Sequence, residues 1–356
     1  MRSPATTHSD PARPPNLFGM DREELASSLA PLTGRPFHAS QVFHWMYARL
    51  QSEPRGMTDL PAALRRELSE RFRVTWPEVR EVRRSADGSK KYVLVLEDGG
   101  EIEAVYILYG DRVTLCLSSQ IGCPLACAFC LTGTMGRVRN LAPGEILGQI
   151  AVIARDNALA GTSYRVVFMG MGEPLLNLDA VMRAFRVMVD RKGFGLSPRR
   201  VTLSTAGLVP GIERLGRESP RPRLAISLGA SRDEQRDELM PINRKHDLKA
   251  LIDACRRFPL GPREKVTFEY CLIDGVNDGD EDAARIARLT RGLRAKVNVI
   301  PYNEAGVPGF RTPSVERAAG FRDALAARGV AATIRWSKGR DVGAACGQLV
   351  TAAARS

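Results

Sequence analysis

The hydrophobic period changes twice along the chain. Between residues 17 and 75 apolar positions recur at helical spacing. Val42 and Met46 lie four apart with Phe43 beside them, and Leu64, Leu68 and Phe72 follow at i, i+4 and i+8. Ser40 is positioned to cap the first helix, and Thr58 with Pro61 to open the second. From residue 79 the period drops to two. Tyr92–Glu97 and Glu101–Ile107 alternate on either side of Asp98-Gly99-Gly100, a hairpin signal. Glu103 shares a face with Val105 and Ile107, so the alternation puts a carboxylate on the buried side. From residue 113 onward, short apolar runs at 113–119, 164–169, 201–205, 223–228, 265–273, 296–301 and 331–336 alternate with helical patterns. The helices are expected at 143–156, 178–190, 247–257, 280–293 and 315–328.

Repeated βα units require a parallel sheet. About six of them predict an α/β fold built on a partial (β/α)6 barrel rather than a doubly wound sheet. The chain then divides into a disordered tail (1–16), a helical accessory domain (17–78), a β-hairpin extension (79–112), a barrel core (113–350) and a short tail (351–356). The placement of unusual residues supports the barrel, because such folds gather their sites at the C-terminal ends of the strands. Met169-Gly170-Met171-Gly172-Glu173-Pro174 follows the second core strand. Ser204 and Thr205 end the third, Ser227 the fourth, and Pro301-Tyr302-Asn303 the sixth; Cys346 follows the last.

The first core strand leads into the most informative stretch. Cys116 lies within it, and Cys123, Cys127 and Cys130 follow at the spacing CxxxCxxC. Iron–sulfur clusters are normally held by four thiolates. A loop offering three to a cubane leaves one iron open, and an open metal position is where chemistry occurs. A structural zinc site would need a fourth ligand, and the chain's four histidines (His8, His38, His44, His246) lie outside the loop. Three structural thiols within eight residues is the remaining alternative.

Composition narrows the setting. The 356 residues carry a net charge of +12 with a pI near 9.7, which points to a polyanionic partner, most simply nucleic acid. The alternative is a solvated basic surface. Arg80, Arg83, Arg84, Lys90 and Lys91 cluster around the start of the hairpin, and Arg49, Arg55, Arg65, Arg66, Arg71 and Arg73 leave the helical module basic. That module is either an RNA-docking appendage or a packing lid. No apolar run reaches transmembrane length, and the amino-terminal stretch lacks the apolar region of a secretory signal. Seven cysteines do not make a disulfide scaffold. A cytoplasmic protein with no membrane partner is expected.

The ordered set of motifs carries a resemblance. Cys116-Leu-Ser-Ser-Gln, the CxxxCxxC loop with Phe129 before its last cysteine, Gly170-Met-Gly-Glu-Pro-Leu-Leu-Asn177, Arg200-Val-Thr-Leu-Ser-Thr205, Met240-Pro-Ile-Asn243 and Ala345-Cys-Gly-Gln-Leu349 occur in sequence. Over nearly its whole length the chain resembles the RlmN/Cfr family of radical S-adenosylmethionine (SAM) RNA methyltransferases. The resemblance implies a core of radical-SAM type with a [4Fe–4S] cluster on Cys123, Cys127 and Cys130, and SAM chelated to its open iron. It implies SAM contacts at Gly172, Glu173, Ser204, Ser227 and Asn303. The substrates implied are an adenosine in 23S rRNA and, for RlmN-type members, one in tRNA; a reductase or flavodoxin-type protein would donate electrons.

The family's chemistry suits its target. An adenine ring C–H carbon is electrophilic, so an ordinary methyl transfer finds no nucleophile there, and the methyl must arrive as a carbon radical. By the resemblance, Cys346 carries a methyl group taken from one SAM. A second SAM, cleaved to a 5′-deoxyadenosyl radical, removes hydrogen from that methyl. The methylene radical then adds to the ring. Cys116 closes a disulfide with Cys346 to release the product, and Glu103 accepts the proton. Read without the family, Cys346 and Cys116 are small buried residues and Glu103 is a salt-bridged one; Cys255 and Cys271 suit burial. Pro174 after the glutamate matches the RlmN type, which acts at carbon 2. Cfr-type members tend to have alanine there and act at carbon 8. A non-catalytic iron–sulfur RNA-binding protein is the reading from another class. One departure is clear: the family usually reads Ser-x-His after the fourth strand, and this chain has Ser227-Leu228-Gly229.

Overall fold

A computed structural model describes residues 13–33, 35, 37–305 and 307–351. Residues 1–12 of the expected amino-terminal tail and 352–356 of the carboxy-terminal one lie outside the described residues. Asn16, assigned to that tail, is engaged. It bridges to Arg73, and its amide donates to the carbonyl and hydroxyl of Thr75 at 3.0 Å.

Three helices open the chain: α1 (Arg22–Leu29), α2 (Phe37–Tyr47) and α3 (Ala62–Arg71). Asp21 and Glu24 form a capping box on α1. The apolar spacing holds, since Val42, Phe43 and Met46 are buried with Leu64 and Leu68. Ser40 is not a cap. It lies inside α2, where its hydroxyl faces Lys192 Nζ at 2.8 Å. Pro61 caps α3 without a side-chain hydrogen bond, its fixed φ and missing N–H suiting a helix start. The module docks through bare backbone: a Cβ on Gly144 would lie 2.5 Å from the Phe18 carbonyl, and one on Gly148 would overlap Pro77. Phe18 packs against Tyr47 and Trp76 across this seam.

The extension holds more strands than a hairpin. β1 (Glu78–Arg84), β2 (Lys90–Val95), β3 (Glu101–Tyr109) and β4 (Arg112–Cys116) pair antiparallel in turn. β1 escaped the sequence reading because its largely charged, solvent-facing run has no apolar alternation. Two short strands, β5 (Gln120–Cys123) and β6 (Gly136–Asn140), form a separate ladder around a short helix, α4 (Leu131–Thr134). Arg139 of β6 ties that ladder to Asp98 and Glu145 at 2.7 Å.

The core runs α5 (Pro143–Asp156), β7 (Arg165–Phe168), α6 (Leu178–Val189), β8 (Val201–Thr205), α7 (Val209–Gly216), β9 (Arg223–Ser227), α8 (Asp233–Leu239), α9 (Leu248–Arg257), β10 (Val266–Leu272), α10 (Asp280–Leu289), β11 (Ala295–Pro301), α11 (Val315–Ala327) and β12 (Ala332–Ile334). The expected strands and helices of the core are all present. α10 stops at Leu289, short of 293, because the Thr290 hydroxyl bonds back to the Ile286 carbonyl at 2.9 Å. β4, β7, β8, β9, β10, β11 and β12 are neighbours in that order and parallel throughout. The antiparallel extension continues the same ten-stranded sheet. Phe268, Tyr270 and Leu272 of β10 are fully buried, and Tyr270 stacks on Phe321 of α11. Alternation therefore sends Thr267, Glu269 and Cys271 to the barrel interior. No described helix is long and apolar enough to cross a membrane.

Candidate active site

Strand ends and the turns after them assemble one mouth. β5 delivers Cys123, and the loop to α4 carries Cys127 and Cys130; all three are half-buried. Ala126 sits at φ +50° between them, a left-handed conformation that a non-glycine residue adopts only where its surroundings hold it. The loop is pinned at both ends: Ala128 N–H donates to the Leu239 carbonyl at 3.0 Å, and Leu131 N–H to the Gly347 carbonyl at 2.8 Å. The second bond joins the cysteine loop to the residue after Cys346. Leu125, Cys127 and Phe129 pack on an apolar wall of Ala206, Leu239, Met240 and Tyr302.

Among the described residues no three His, Cys, Asp or Glu side chains gather tightly enough for a single metal ion. Three thiols on one pinned loop beside a dry wall, with no fourth ligand, fit a cubane with one iron left open.

The glycine-rich turn after β7 runs close under the first strand. A Cβ on Gly170 would lie 2.7 Å from the Leu117 backbone. Gly172, at φ +97°, leaves no room beside Gln120. Glu173 is 3% exposed. Its carboxylate accepts from Leu175 N–H at 3.0 Å and Ala206 N–H at 2.8 Å, and its own N–H donates to Gln120 Oε1 at 2.8 Å. Burial pushes its pKa from 4.5 up to about 7 against those hydrogen bonds. Ser204 and Ser227 end neighbouring strands at the mouth. Asn303 donates to Ser337 Oγ at 2.9 Å and to the Cys346 carbonyl at 3.1 Å, so it steadies the loop that carries Cys346.

Cys116 and Cys346 share the Arg335 guanidinium, and Cys346 lies near enough to Cys116 for its thiolate to raise the Cys116 pKa. Burial pushes Cys116 up to about 12, with Cys346 adding to it and the Arg335 guanidinium opposing. Burial likewise raises Cys346, and Arg335 again opposes. All seven cysteines are free thiols. Glu103 is buried, as alternation requires, and is also ion-paired: Lys91 Nζ lies 2.9 Å from its Oε1. Its Oε2 accepts from Val350 N–H at 2.9 Å. Burial raises the Glu103 pKa, and Lys91 and that N–H pull it back.

Residues 15–74 match the ribosomal RNA large subunit methyltransferase N-terminal domain, and residues 117–287 match the radical SAM superfamily. A Geobacter sulfurreducens protein called dual-specificity RNA methyltransferase RlmN is 47% identical over 336 residues, covering 94% of this chain and 91% of its own. A protein of the same description from Syntrophotalea carbinolica is 47% identical over 335 residues, covering 94% and 89%.

The chain belongs to the RlmN family.

A crystal structure of a radical SAM methyltransferase from Sphaerobacter thermophilus is 44% identical and superposes with a TM-score of 0.89, covering 94% of this chain and 99% of that one. The RlmN fold places Cys116, Glu173, Ser204, Ser227 and Asn303 at or just beyond the carboxyl ends of core strands, with the Cys346 loop tied to Asn303 and to the cysteine loop; Glu103 lies on β3 and Cys255 on α9. It also adds residues no motif revealed. Arg236 of α8 is fully buried and donates to the carbonyls of Leu228 at 2.8 Å and Ala206 at 2.6 Å and to Asn243 Oδ1 at 2.8 Å. It clamps the ends of β8 and β9, which hold Ser204 and Ser227, and burial lowers its pKa to about 10. Nothing local in the sequence separates Arg236 from an exposed helix arginine. Cys271, read as merely buried, points into the same interior as Cys130 and Cys346, and their negative charge adds to the effect of burial on its thiol.

Gly229 accounts for the missing histidine. It lies at φ +72°, and a Cβ there would overlap Met240 Sδ. Its carbonyl accepts from Asn277 Nδ2 at 2.9 Å, so this turn is held by its main chain.

Proposed function

We propose that this protein methylates carbon 2 of an adenosine in 23S rRNA, and an adenosine in tRNA, by way of a methyl group carried on Cys346. Membership of the RlmN family makes it a radical SAM RNA methyltransferase that uses a [4Fe–4S] cluster and SAM. The dual-specificity description belongs to its relatives, and the finer assignment extends it to this chain. The observation that supports it best is the convergence of Cys116, Cys346 and the cysteine loop on one buried interior, with Leu131 N–H bonded to the Gly347 carbonyl.

The chain's residues divide the work. Cys123, Cys127 and Cys130 hold the cluster, and Gly172, Glu173, Ser204, Ser227 and Asn303 line the place for SAM. When bound, the cluster supplies the electron that cleaves SAM. The Cys346 thiolate attacks the methyl carbon of a first SAM, forming a C–S bond and releasing S-adenosylhomocysteine; a second SAM is consumed per turnover. Arg335 favours the thiolate that this displacement needs. The Cys346-bound methyl gives one hydrogen atom to the adenosyl fragment of the second SAM, its carbon bonds to the ring, and the adduct gives up one electron to the oxidised cluster, while Glu103 takes the ring proton. The Cys116 thiolate then attacks the Cys346 sulfur, forming the disulfide as the C–S bond breaks and the departing carbon takes up a proton; a thiol reductant would return the disulfide to thiols for the next turnover. A buried carboxylate suits a general base; burial raises the Glu103 pKa, and Lys91 pulls it back toward the ionised form that accepts a proton. A flavodoxin-type reductase is the electron donor in this reading, and the cytoplasm its location.

Mass spectrometry of nucleosides from rRNA and tRNA of a deletion strain tests the assignment. Loss of 2-methyladenosine from both pools is expected. Loss of 8-methyladenosine instead would give the carbon-8 reading, and unchanged nucleosides would refute both.

A further inference from the structure

The sheet register carries the active-site face outward from the barrel onto the extension. Cys116 pairs with Val105, Val105 with Lys91, and Lys91 with Arg83, so these four side chains share one face. Strands stand about 4.8 Å apart, which puts Lys91 about 10 Å and Arg83 about 15 Å from Cys116 along this row. The row ends in an open cleft of about 520 Å³ lined by Arg83, Arg84, Lys91, Asp341, Val342 and Gly343. Three cations and the Asp341 carboxylate line it, with Glu103 paired to Lys91 and Glu81 to Arg83. Lys91 sits at its floor, fully buried and paired with Glu103 through an ammonium nitrogen 2.9 Å from Oε1; an ammonium carries three donors, so this pairing leaves others for an anion. Arg83 is bound only to exposed Glu81, at 2.8 Å through each of two nitrogens, a pairing that an incoming anion displaces at little cost.

The opposite wall is the segment that leads to Cys346. It is stapled to the turn between β1 and β2: Ser85 Oγ donates to Asp341 Oδ1 at 2.6 Å, Ala86 N–H to Asp341 Oδ2 at 3.1 Å, and Gly339 N–H to Asp87 Oδ2 at 2.8 Å. A Cβ on Gly343 would stand 3.4 Å from Lys91 Nζ, so the glycine keeps this wall open. An anion in the cleft therefore touches the cations of the extension and the approach to the methyl-carrying thiol together.

We propose that this cleft is the subsite for a backbone phosphate of the RNA strand that carries the target adenosine, held by Arg83, Arg84 and Lys91 against the 341–343 turn. The inference rests on the RNA-methyltransferase reading. A phosphate held between Lys91 and Arg83 lies two to three strand spacings, about 10–15 Å, from Cys116, within reach of the target nucleotide or a near neighbour. Seating it braces the Cys346 segment while the base enters the mouth. Arginine suits the task because its fork matches phosphate oxygens two at a time.

The test uses full-length, cluster-reconstituted enzyme and an rRNA hairpin containing the target adenosine. Kd is measured against KCl concentration, and KM for the hairpin under turnover. In Arg83→Ala/Arg84→Ala the slope of log Kd against log [KCl] becomes shallower by about 1, and KM rises about tenfold. Arg83→Lys/Arg84→Lys restores most of the slope because the charge is kept. Arg288→Ala/Arg291→Ala, on a different surface, behaves as wild type. If the wild type methylates the hairpin while the double alanine variant keeps the wild-type slope and KM, the cleft is not the subsite. If the wild type methylates no RNA, it is the proposed function that fails.

Discussion

Replacing Gly229 by alanine isolates one backbone demand beside the SAM-lining strand ends. The residue holds φ +72°, a left-handed conformation that costs an L-residue about 1–2 kcal/mol. Alanine also stiffens the unfolded chain, which returns about 0.4–1 kcal/mol. The new methyl overlaps Met240 Sδ and stands 3.1 Å from Met240 Cγ. Met240 is 1% exposed and must move within a packed wall, a further cost of about 1–3 kcal/mol. The expected net loss is about 2–3 kcal/mol, read from urea denaturation under anaerobic conditions. In a chain of 356 residues that lowers Tm by about 3–4 °C. A double-mutant cycle with Met240→Ala separates the two costs. Removing the Met240 side chain relieves the overlap and leaves the backbone strain, so the alanines couple by about 1 kcal/mol or more. A Gly229→Ala protein within 0.5 kcal/mol of wild type, on the scale of a neutral surface change, would refute the reasoning; strict additivity would refute the Met240 half of it.

Three further outcomes follow from the site. Cys116→Ala removes the thiol that closes the disulfide, so RNA accumulates covalently on Cys346 under turnover; finding only free RNA on denaturing gels would remove Cys116 from product release. Burial raises Glu173 from 4.5 to about 7, so the fold holds that proton more tightly than the unfolded chain does. The cluster-free protein is therefore favoured below pH 4.5 and loses about 3 kcal/mol as pH rises through about 7. Urea midpoints across that range should fall in wild type, and the same fall in Glu173→Gln would be a contradiction. Arg236→Met leaves the carbonyls of Leu228 and Ala206 and the Asn243 amide oxygen without their donor. A loss of about 3–5 kcal/mol in the same denaturation assay is expected, and an unchanged midpoint would show that the clamp is dispensable.

Much of this molecule is written in local pattern. The alternation of apolar strands and amphipathic helices names the parallel core, since each βα unit must bury one face against the next. The CxxxCxxC spacing is itself a local constraint, because one short loop must offer three thiolates to one cluster. Even Glu103's burial follows from period-two alternation. Other features have no local signature. Arg236 has the sequence of an exposed helix residue, and it is buried only because two strand ends turn carbonyls toward it. Lys91 meets Glu103, and Arg83 joins the row of Cys116, through strand pairings that no single stretch encodes. β1 is recognisable only by its partner β2, because its side chains are charged and face water. Spacing along the chain sets which groups can share an element. Register between distant strands sets which groups meet, and a slip of one residue would turn each of them to the other face.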